Sequence, residues 1–203
     1  MKRIILLLIV PILLLSNNKI IMEKRKTIVT IFTEEAGKTK LVAGVKFGTN
    51  KLITCAHSFL NKHDNFAIID TLVPDSIPKS IDKPKILAIN YKKDIAIILV
   101  PGANWKNSSK LSKLKFTKDD LIYAIGSPIG KQGGLITVGK FIKENSWRLH
   151  SDVLIDHGNS GGAILDKNGD LIAISNKTII LKATRENLGT YATKISSIYK
   201  VME

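Results

Sequence analysis

The chain has 203 residues, one cysteine, 31 basic and 17 acidic side chains, and a formal net charge of +14. A single cysteine excludes an internal disulfide, and a chain of this length can bury a core as one domain or two small lobes without one. Lysines are scattered through every segment, and the only arginines beyond residue 26 are Arg148 and Arg185. We therefore interpret the positive charge as a bias in composition and expect no nucleic-acid partner.

The first two dozen residues have the pattern of an export signal. Lys2 and Arg3 precede an apolar run from Ile4 to Leu15, which is shorter than the roughly 20 apolar residues of a spanning helix. No small-residue cleavage motif closes the run, and residues 20–22 extend its apolar character. We therefore expect residues 1–22 to be a signal peptide or an N-terminal membrane anchor. The protein would then be exported, whether periplasmic, secreted or tethered on the outer face of the membrane.

Short β-branched, apolar runs separated by polar or Gly/Pro residues fill the rest of the chain and predict an all-β protein. Twelve strands are predicted: Thr27–Phe32, Leu41–Phe47, Lys51–Cys55, Phe66–Val73, Lys85–Asn90, Ile95–Val100, Leu121–Ile125, Leu135–Ile142, Trp147–Ile155, Ala163–Leu165, Leu171–Ser175 and Gly189–Thr193. The polar stretch Pro101–Asp120 is predicted to link two β lobes, at about residues 27–105 and 118–203. Ser196–Met202 is predicted to form a short closing helix.

Three motifs, in the chain order His, Asp, Ser, supply the parts of a nucleophilic hydrolase. His57 follows the run 51–55, Asp94 opens the run 95–100, and Ser160 lies in the Gly-Asn-Ser-Gly-Gly turn that begins at Gly158. A nucleophilic serine needs a base for its proton, a carboxylate that orients the base, and donors for the developing oxyanion. We expect His57, Asp94 and Ser160 to be the catalytic residues, and the N–H groups of Gly158 and Ser160 to form the oxyanion hole.

Other residues with the same chemistry fit less well. Asp64 and Asp70 are rival carboxylates, but neither stands between basic and apolar residues as Asp94 does. Cys55 lies inside an apolar strand, so we expect a small buried core residue rather than a thiol nucleophile. No metal-ligand spacing is present, and we expect neither a metal nor a cofactor. The remaining histidines are interpreted as surface residues: His63, His150 and His157.

These motifs, in this order and spacing, resemble those of the chymotrypsin-fold (trypsin-like) serine proteases, and especially the protease domain of the HtrA/Deg branch. The resemblance covers about residues 27–203 and implies two six-stranded antiparallel β-barrels with a short C-terminal helix. It also implies hydrolysis of protein or peptide substrates through an acyl-enzyme in the cleft between the barrels. The matching segments are residues 42–48 and 52–57 around the histidine, 94–97 at the aspartate, 124–130 and 137–139 in the second barrel, 156–163 at the serine, and 168–174 after it.

The sequence departs from the family pattern after the protease domain and in the residues before the serine turn. HtrA proteases carry PDZ domains after the protease domain, which we do not expect here because the sequence stops at Glu203. Asp156 and His157 stand where that branch usually has Asn and Pro, which leaves open a protease-fold binding protein with a non-competent oxyanion hole. A nucleic-acid-binding β-barrel is a third, weaker alternative.

The resemblance also implies a specificity pocket for the residue before the scissile bond. Leu154 occupies the position that sets the charge of this pocket in digestive trypsin-like enzymes. Its apolar side chain predicts a preference for small or aliphatic residues. Ser175 and Asn176 are the other residues expected to line this pocket.

Overall fold

Two six-stranded antiparallel sheets form the computed structural model, which describes residues 19–35, 38–59, 66–70, 83–127, 134–155, 158–180 and 187–197. The first sheet has the strand order β4-β1-β2-β3-β6-β5 and contains β1 (Ile28–Glu35), β2 (Lys38–Phe47), β3 (Lys51–Thr54), β4 (Phe66–Ile69), β5 (Lys85–Asn90) and β6 (Ile95–Leu99). The second is a closed barrel with the order β10-β11-β12-β9-β8-β7 and contains β7 (Leu121–Gly126), β8 (Leu135–Glu144), β9 (Arg148–Ser151), β10 (Ala163–Leu165), β11 (Leu171–Ile180) and β12 (Asn187–Lys194).

The all-β prediction is confirmed, and each of the twelve predicted runs overlaps a strand. Only the second sheet closes, whereas the first is a half-barrel with β4 and β5 at its edges. The loop joining these two edge strands includes residues 71–82, which lie outside the described residues. β11 continues beyond its predicted end at Ser175 to Ile180, because it keeps pairing with β12 as far as Asn187.

Strands in the middle of the molecule are apolar on both faces, which explains their continuous hydrophobic runs. In β6, Ile95 and Ile97 pack into a core shared by the two sheets, while Ala96 and Ile98 face the core of the first lobe. Alternate residues of a strand point to opposite faces, so both sets are buried only if both faces are covered. β7 repeats this arrangement in the second lobe, where its alternate residues divide between the shared core and the barrel interior. The shared core joins the two lobes into one folded body.

The described N-terminal segment packs against both lobes. Residues 19–24 are helical and are followed by a 3-10 turn at Arg25–Thr27. Ile21 is only 1% exposed and belongs to the shared core. The predicted export segment, residues 1–22, therefore overlaps the folded body, which includes Ile21. Residues 1–18 of that segment lie outside the described residues. None of the helices described has the length and apolar character needed to cross a membrane.

A buried ion pair explains why Asp70 is not available to the candidate site. Lys46 on β2 is 1% exposed, and its Nζ donates to Asp70 Oδ2 and, at 3.0 Å, to the carbonyl of Lys26. The same ammonium lies 5.3 Å from the ring centroid of Trp105. A buried charge needs such partners because leaving it alone is costly. The other rival carboxylate, Asp64, lies outside the described residues.

The segment between the sheets contains no regular strand within residues 101–120 and runs along both lobes. It forms a bridge from Ser109 to Phe47 on the first sheet and another from Leu111 to Leu171 on the second. At the other end of the chain, a 3-10 turn at Ile195–Ser197 opens the predicted closing helix, and residues 198–203 lie outside the described part.

Candidate active site

Antiparallel pairing in the first sheet brings His57 and Asp94 together. Thr54, the last residue of β3, pairs with Ala96 near the start of β6. His57 lies three residues after Thr54, in a 3-10 helix over Ala56–Phe59. Asp94 lies two residues before Ala96, at the end of a turn. Both side chains are therefore held at one end of adjacent, buried strands.

The backbone of Asp94 adopts a left-handed conformation, with φ of 55°. Asp tolerates this region better than most residues, and departures of this kind often occur at functional sites. The turn is closed by a hydrogen bond of 3.2 Å from Asp94 N–H to the carbonyl of Tyr91. The carboxylate then faces His57, whose backbone N–H donates to Oδ1 at 2.8 Å.

The imidazole is held by the same carboxylate. His57 Nδ1 lies 2.9 Å from Asp94 Oδ2 and 3.1 Å from Oδ1. A carboxylate can only accept, so Nδ1 carries the hydrogen. In the neutral ring this tautomer leaves Nε2 as the acceptor, which is the atom that a general base uses.

A β-bulge presents Asn176 to this pair. Ser175 pairs with Ala192 and Lys177 pairs with Tyr191, so Asn176 is skipped in the ladder between β11 and β12. A bulge of this kind redirects a side chain away from its strand, and bulges are over-represented beside active sites.

The side chain of Asn176 links the two sheets. Its Nδ2 donates to Asp94 Oδ2 at 3.0 Å and to the Asp94 carbonyl at 2.8 Å. Its Oδ1 accepts a hydrogen bond of 2.9 Å from Thr193 Oγ1 on β12. A network therefore runs from Thr193 through Asn176 and Asp94 to His57.

These contacts set the protonation of the pair. The hydrogen bond with Asp94, followed by the contact with Cys55, raises the pKa of His57 to about 10. Burial alone would raise the pKa of the Asp94 carboxyl, but its interactions with His57 and the bond from Asn176 outweigh burial and lower it. The Asp94 carboxylate therefore favours the protonated form of the imidazole, and the imidazole favours the charged form of the carboxyl.

The serine turn of the second sheet packs directly on the first. The carbonyl of Ser160 accepts a hydrogen bond of 2.8 Å from Ala43 N–H on β2. Gly161 has φ of +81°, and a Cβ atom there would lie 2.2 Å from both the Ala43 carbonyl and Thr54 Oγ1. Only glycine fits this position, because it needs both a left-handed backbone and close contact between the lobes.

The N–H groups expected to form the oxyanion hole remain available. Gly158 has φ of 91°, and Asn159 uses its carbonyl to accept the N–H of Gly162 at 3.0 Å. Among the hydrogen bonds of the described residues, none uses the N–H of Gly158 or of Ser160. Residues 156 and 157, whose unusual identity the sequence raised, lie outside the described part.

The Ser160 hydroxyl is directed to a backbone acceptor in this resting arrangement. Its Oγ donates to the carbonyl of Asn176 at 3.0 Å, while His57 Nε2 lies 3.6 Å from Cys55 Sγ. No hydrogen bond joins Ser160 to His57 among the described contacts. The structure thus gathers His57, Asp94 and Ser160 around Asn176 without a direct serine–histidine bond.

The residues predicted to line a specificity pocket have different surroundings. Leu154 is 52% exposed. Ser175 is buried, and its hydroxyl donates to the carbonyl of Asn159 at 2.6 Å and contacts that of Gly162 at 3.3 Å, so it supports the serine turn from beneath. The side chain of Asn176 is hydrogen-bonded to Asp94.

Two contacts of the site were not expected from the sequence, and one histidine is less exposed than expected. The bond from Thr193 to Asn176 carries no sequence signal, because it depends on strand register and on the bulge. The contact of Cys55 with His57 joins residues two apart in the chain and depends on the 3-10 helix that follows β3. His150, interpreted from the sequence as a surface residue, is half-buried: its two ring nitrogens are covered, and its ring lies tilted against that of Tyr191 with 5.1 Å between the centroids. His63 and His157 lie outside the described residues.

A half-barrel and a closed barrel that place a histidine–aspartate pair of one sheet beside a glycine-rich serine turn of the other define the chymotrypsin-like class. The family model of the trypsin-like peptidase domain matches residues 42–174. The chain belongs to this trypsin-like peptidase family.

Curated relatives of the chain include Deg-type proteases. The periplasmic serine endoprotease DegP of Salmonella typhimurium is 28% identical over 160 residues, which cover 70% of this chain and 32% of that protein. A probable serine protease do-like protein of Buchnera aphidicola is 30% identical over 119 residues, covering 52% and 23%. The chain thus spans about a third or less of the length of these relatives.

Solved structures share the fold at low identity. A serine endoprotease from Yersinia pestis gives a TM-score of 0.73 at 18% identity, over 92% of this chain and 65% of that one. The active form of the Rv3671c protease from M. tuberculosis gives 0.75 at 13% identity, over 93% and 84%.

Proposed function

We propose that this protein is an exported serine endopeptidase that cleaves peptide bonds in protein or peptide substrates. The observation that carries the proposal is the His57–Asp94 pair, with Nδ1 2.9 Å from Oδ2, beside a serine turn anchored to the same sheet. Membership of the trypsin-like peptidase family and the serine endoproteases among its relatives support the same activity.

In the proposed reaction, Ser160 Oγ attacks the peptide carbonyl and His57 Nε2 takes its proton. Asp94 holds the ring through Nδ1 and stabilises the imidazolium. The hydroxyl first exchanges its bond to the Asn176 carbonyl for one to Nε2, and such bonds often tighten only when substrate binds. His57 then protonates the leaving amine and an acyl-enzyme remains on Ser160.

The remaining parts of the site are assigned to the serine turn and its approach. The N–H groups of Gly158 and Ser160, which make no bond within the described part of the chain, donate to the oxyanion. Leu154, exposed just before the turn, contacts the substrate residue whose carbonyl is attacked and favours small or aliphatic side chains there.

Export is proposed on the basic and apolar pattern of residues 1–22 and on the word periplasmic in the names of several relatives. The protease domain corresponds to residues 27–203. Because Ile21 is part of the shared core, a signal cleavage that preserves the folded body falls before this residue, and an uncut segment acts as a tether.

The experiment compares the full chain with Ser160→Ala on casein and on a fluorogenic peptide library. We expect Ser160→Ala to lower kcat/KM by about 10⁴-fold or more. A fluorophosphonate should label the protein at Ser160 and leave Ser160→Ala unlabelled. Ser196→Ala, which changes an exposed serine outside the site, serves as the matched control. Equal values of kcat/KM for the unaltered protein and for Ser160→Ala would contradict the proposal.

The second candidate is a protease-fold binding protein, which is favoured by the bond from Ser160 Oγ to the Asn176 carbonyl in place of one to His57. A binding protein of this kind would neither turn over peptides nor react with the fluorophosphonate, yet it would retain peptides on the surface around the serine turn. The labelling experiment therefore separates the two functions directly.

A further inference from the structure

A cationic pocket of about 280 Å³ lies beside the proposed base. Among the described residues, its lining includes His57 and Asp94 but neither Ser160 nor Leu154. A group in this pocket would therefore belong to a residue near the scissile bond, and not to the residue whose carbonyl is attacked. It is a separate subsite from the apolar one assigned to Leu154.

Positive side chains outnumber negative ones in the described lining of this pocket. Four cations line it, namely Lys92, Lys93, Arg148 and Lys177. The one carboxylate in the described lining is that of Asp94, which is already engaged by His57 and Asn176. In the part of the chain that the structure describes, no acidic side chain forms an ion pair with Lys92, Arg148 or Lys177.

Arg148 is held in place by aromatic rings. Its guanidinium carbon lies 4.2 Å from the ring centroid of Trp147 and 5.1 Å from that of Tyr191, and both rings line the pocket. Stacking on aromatic faces restricts the planar guanidinium and leaves its edge N–H donors for a partner in the plane. A carboxylate matches this fork, since arginine can bind both of its oxygens at once.

The neighbouring backbone favours an extended peptide at this place. Asn176 is bulged out of the ladder between β11 and β12, and its carbonyl reaches the Ser160 hydroxyl. Lys177, the next residue, is exposed and lines the pocket. An extended substrate that passes the serine turn beside Asn176 brings a nearby side chain to Arg148 and Lys177.

We propose that this pocket binds the carboxylate of an Asp or Glu side chain close to the scissile bond, and that the protease prefers acidic substrates for this reason. The inference rests on the proposed endopeptidase function and names the substrate class of that site. Arg148 and Lys177 are the specificity-determining residues, and Lys92 adds to the positive field.

The test uses peptides capped at both ends, so that only one side chain carries a negative charge. Glu and Gln are compared at each of four positions on either side of the cleaved bond. We expect kcat/KM to favour Glu by about fivefold or more at one position near the bond, because exposed ion pairs each contribute up to about 1 kcal/mol. The preference should fall as salt is raised from about 50 to 500 mM.

Variants identify the responsible charges. Arg148→Gln and Lys177→Gln should each lower the Glu-to-Gln ratio, and Arg148→Glu with Lys177→Glu should reverse it. Lys167→Glu reverses a charge in an exposed turn outside the pocket, so the Glu-to-Gln ratio of this variant should equal that of the unaltered protein. The inference is overturned if Glu and Gln peptides differ by less than about twofold at every position. It is also overturned if the Glu-to-Gln ratio is unchanged in the Arg148 and Lys177 variants.

A binding measurement keeps the two proposals distinguishable. Fluorescence anisotropy of the same capped peptides with Ser160→Ala reports the pocket without turnover. If the protein cleaves Gln and Glu peptides equally, the acidic preference is wrong and the endopeptidase proposal stands. If no peptide is cleaved but Ser160→Ala binds Glu peptides more tightly, the endopeptidase proposal is wrong and the pocket assignment stands.

Discussion

The surroundings of His57 determine when its imidazole can accept a proton. The bond with Asp94 and the contact of Nε2 with Cys55 Sγ at 3.6 Å raise the pKa of this residue to about 10. A base must be neutral to act, so the same contacts that hold the ring also delay its use to higher pH. Protonated His57 stabilises the folded protein fully below its ordinary pKa, and this contribution is lost as pH rises through about 10.

We predict that kcat/KM rises with pH with a midpoint above the ordinary histidine value, and that Cys55→Ala moves this midpoint to lower pH. The alanine removes one of the interactions that raise the pKa of His57, while Asp94 remains. Steady-state rates from about pH 6 to about pH 11.5, taken well below KM, measure the midpoint of the free enzyme.

Ser58→Ala is the matched control for this pH profile. Ser58 Oγ contacts Cys55 Sγ at 3.1 Å but makes no described bond with the imidazole. The pH midpoint of Ser58→Ala should equal that of the unaltered protein. An unchanged midpoint in Cys55→Ala would show that Sγ has no influence on the base.

The serine turn is an element whose shape depends on contact with the opposite sheet. Gly161 N–H donates to the Ser175 carbonyl at 2.8 Å, and Ser175 N–H donates to the Gly162 carbonyl at 2.9 Å, which fixes the turn on β11. The other side of the turn meets β2 at Ala43. The backbone therefore passes between two sheets with no room for a side chain at residue 161.

Gly161→Ala is predicted to destabilise the protein and to abolish peptide hydrolysis. A left-handed backbone costs a non-glycine residue about 1–2 kcal/mol, and the clash with Ala43 and Thr54 should add about 1–3 kcal/mol. Urea unfolding and hydrolysis of a neutral peptide measure the two effects. Gly48→Ala is the matched control, because Gly48 also has positive φ, +60°, but a methyl group there would meet nothing within 4 Å. Equal losses in the two variants would contradict close packing at residue 161.

At the scale of the whole molecule, the candidate site exists only where the two sheets meet. His57 and Asp94 come from the first sheet, whereas Ser160, Asn176 and Thr193 come from the second. The shared apolar core holds the sheets together, and hydrogen bonds such as Asn176 Nδ2 to Asp94 Oδ2 fix their alignment.

Asn176→Ala should lower kcat by about 10- to 100-fold with little change in KM. A hydrogen bond to a charged group contributes about 1.5–3 kcal/mol, and here the side-chain amide is engaged in orienting Asp94. The backbone carbonyl that accepts from Ser160 is retained in the alanine variant. Full kcat and KM determinations, with urea unfolding beside them, separate positioning from general destabilisation.

Thr193→Val provides the comparison for the Asn176 variant. It removes the hydroxyl that contacts Asn176 Oδ1 at 2.9 Å and the carbonyl of Lys93, but it leaves both bonds from Asn176 to Asp94. We expect a smaller loss of kcat, by less than about tenfold. A loss in Thr193→Val as large as that in Asn176→Ala would indicate disruption of the sheet junction instead of positioning.

Much of the fold could be predicted because its signals are local. Continuous apolar runs such as Ile95–Leu99 predict strands buried on both faces, and the structure has a strand at each of the twelve runs. The half-barrel, by contrast, depends on whether distant edge strands meet. The burial of Ile21 likewise depends on the space between two sheets, which no local pattern describes.

The strands and the three chemical groups His57, Asp94 and Ser160 can be read from the amino-acid order alone, because apolar runs and glycine-rich turns act through neighbouring residues. The surroundings of those groups, in contrast, follow only from how the chain folds. The bulge that turns Asn176 toward Asp94, the bond from Thr193 to Asn176 and the contact of Arg148 with the ring of Tyr191 arise from strand register and from the packing of two sheets. Hydrogen bonds and stacking act over a few ångströms, so they are fixed only when residues far apart in the chain are brought into contact.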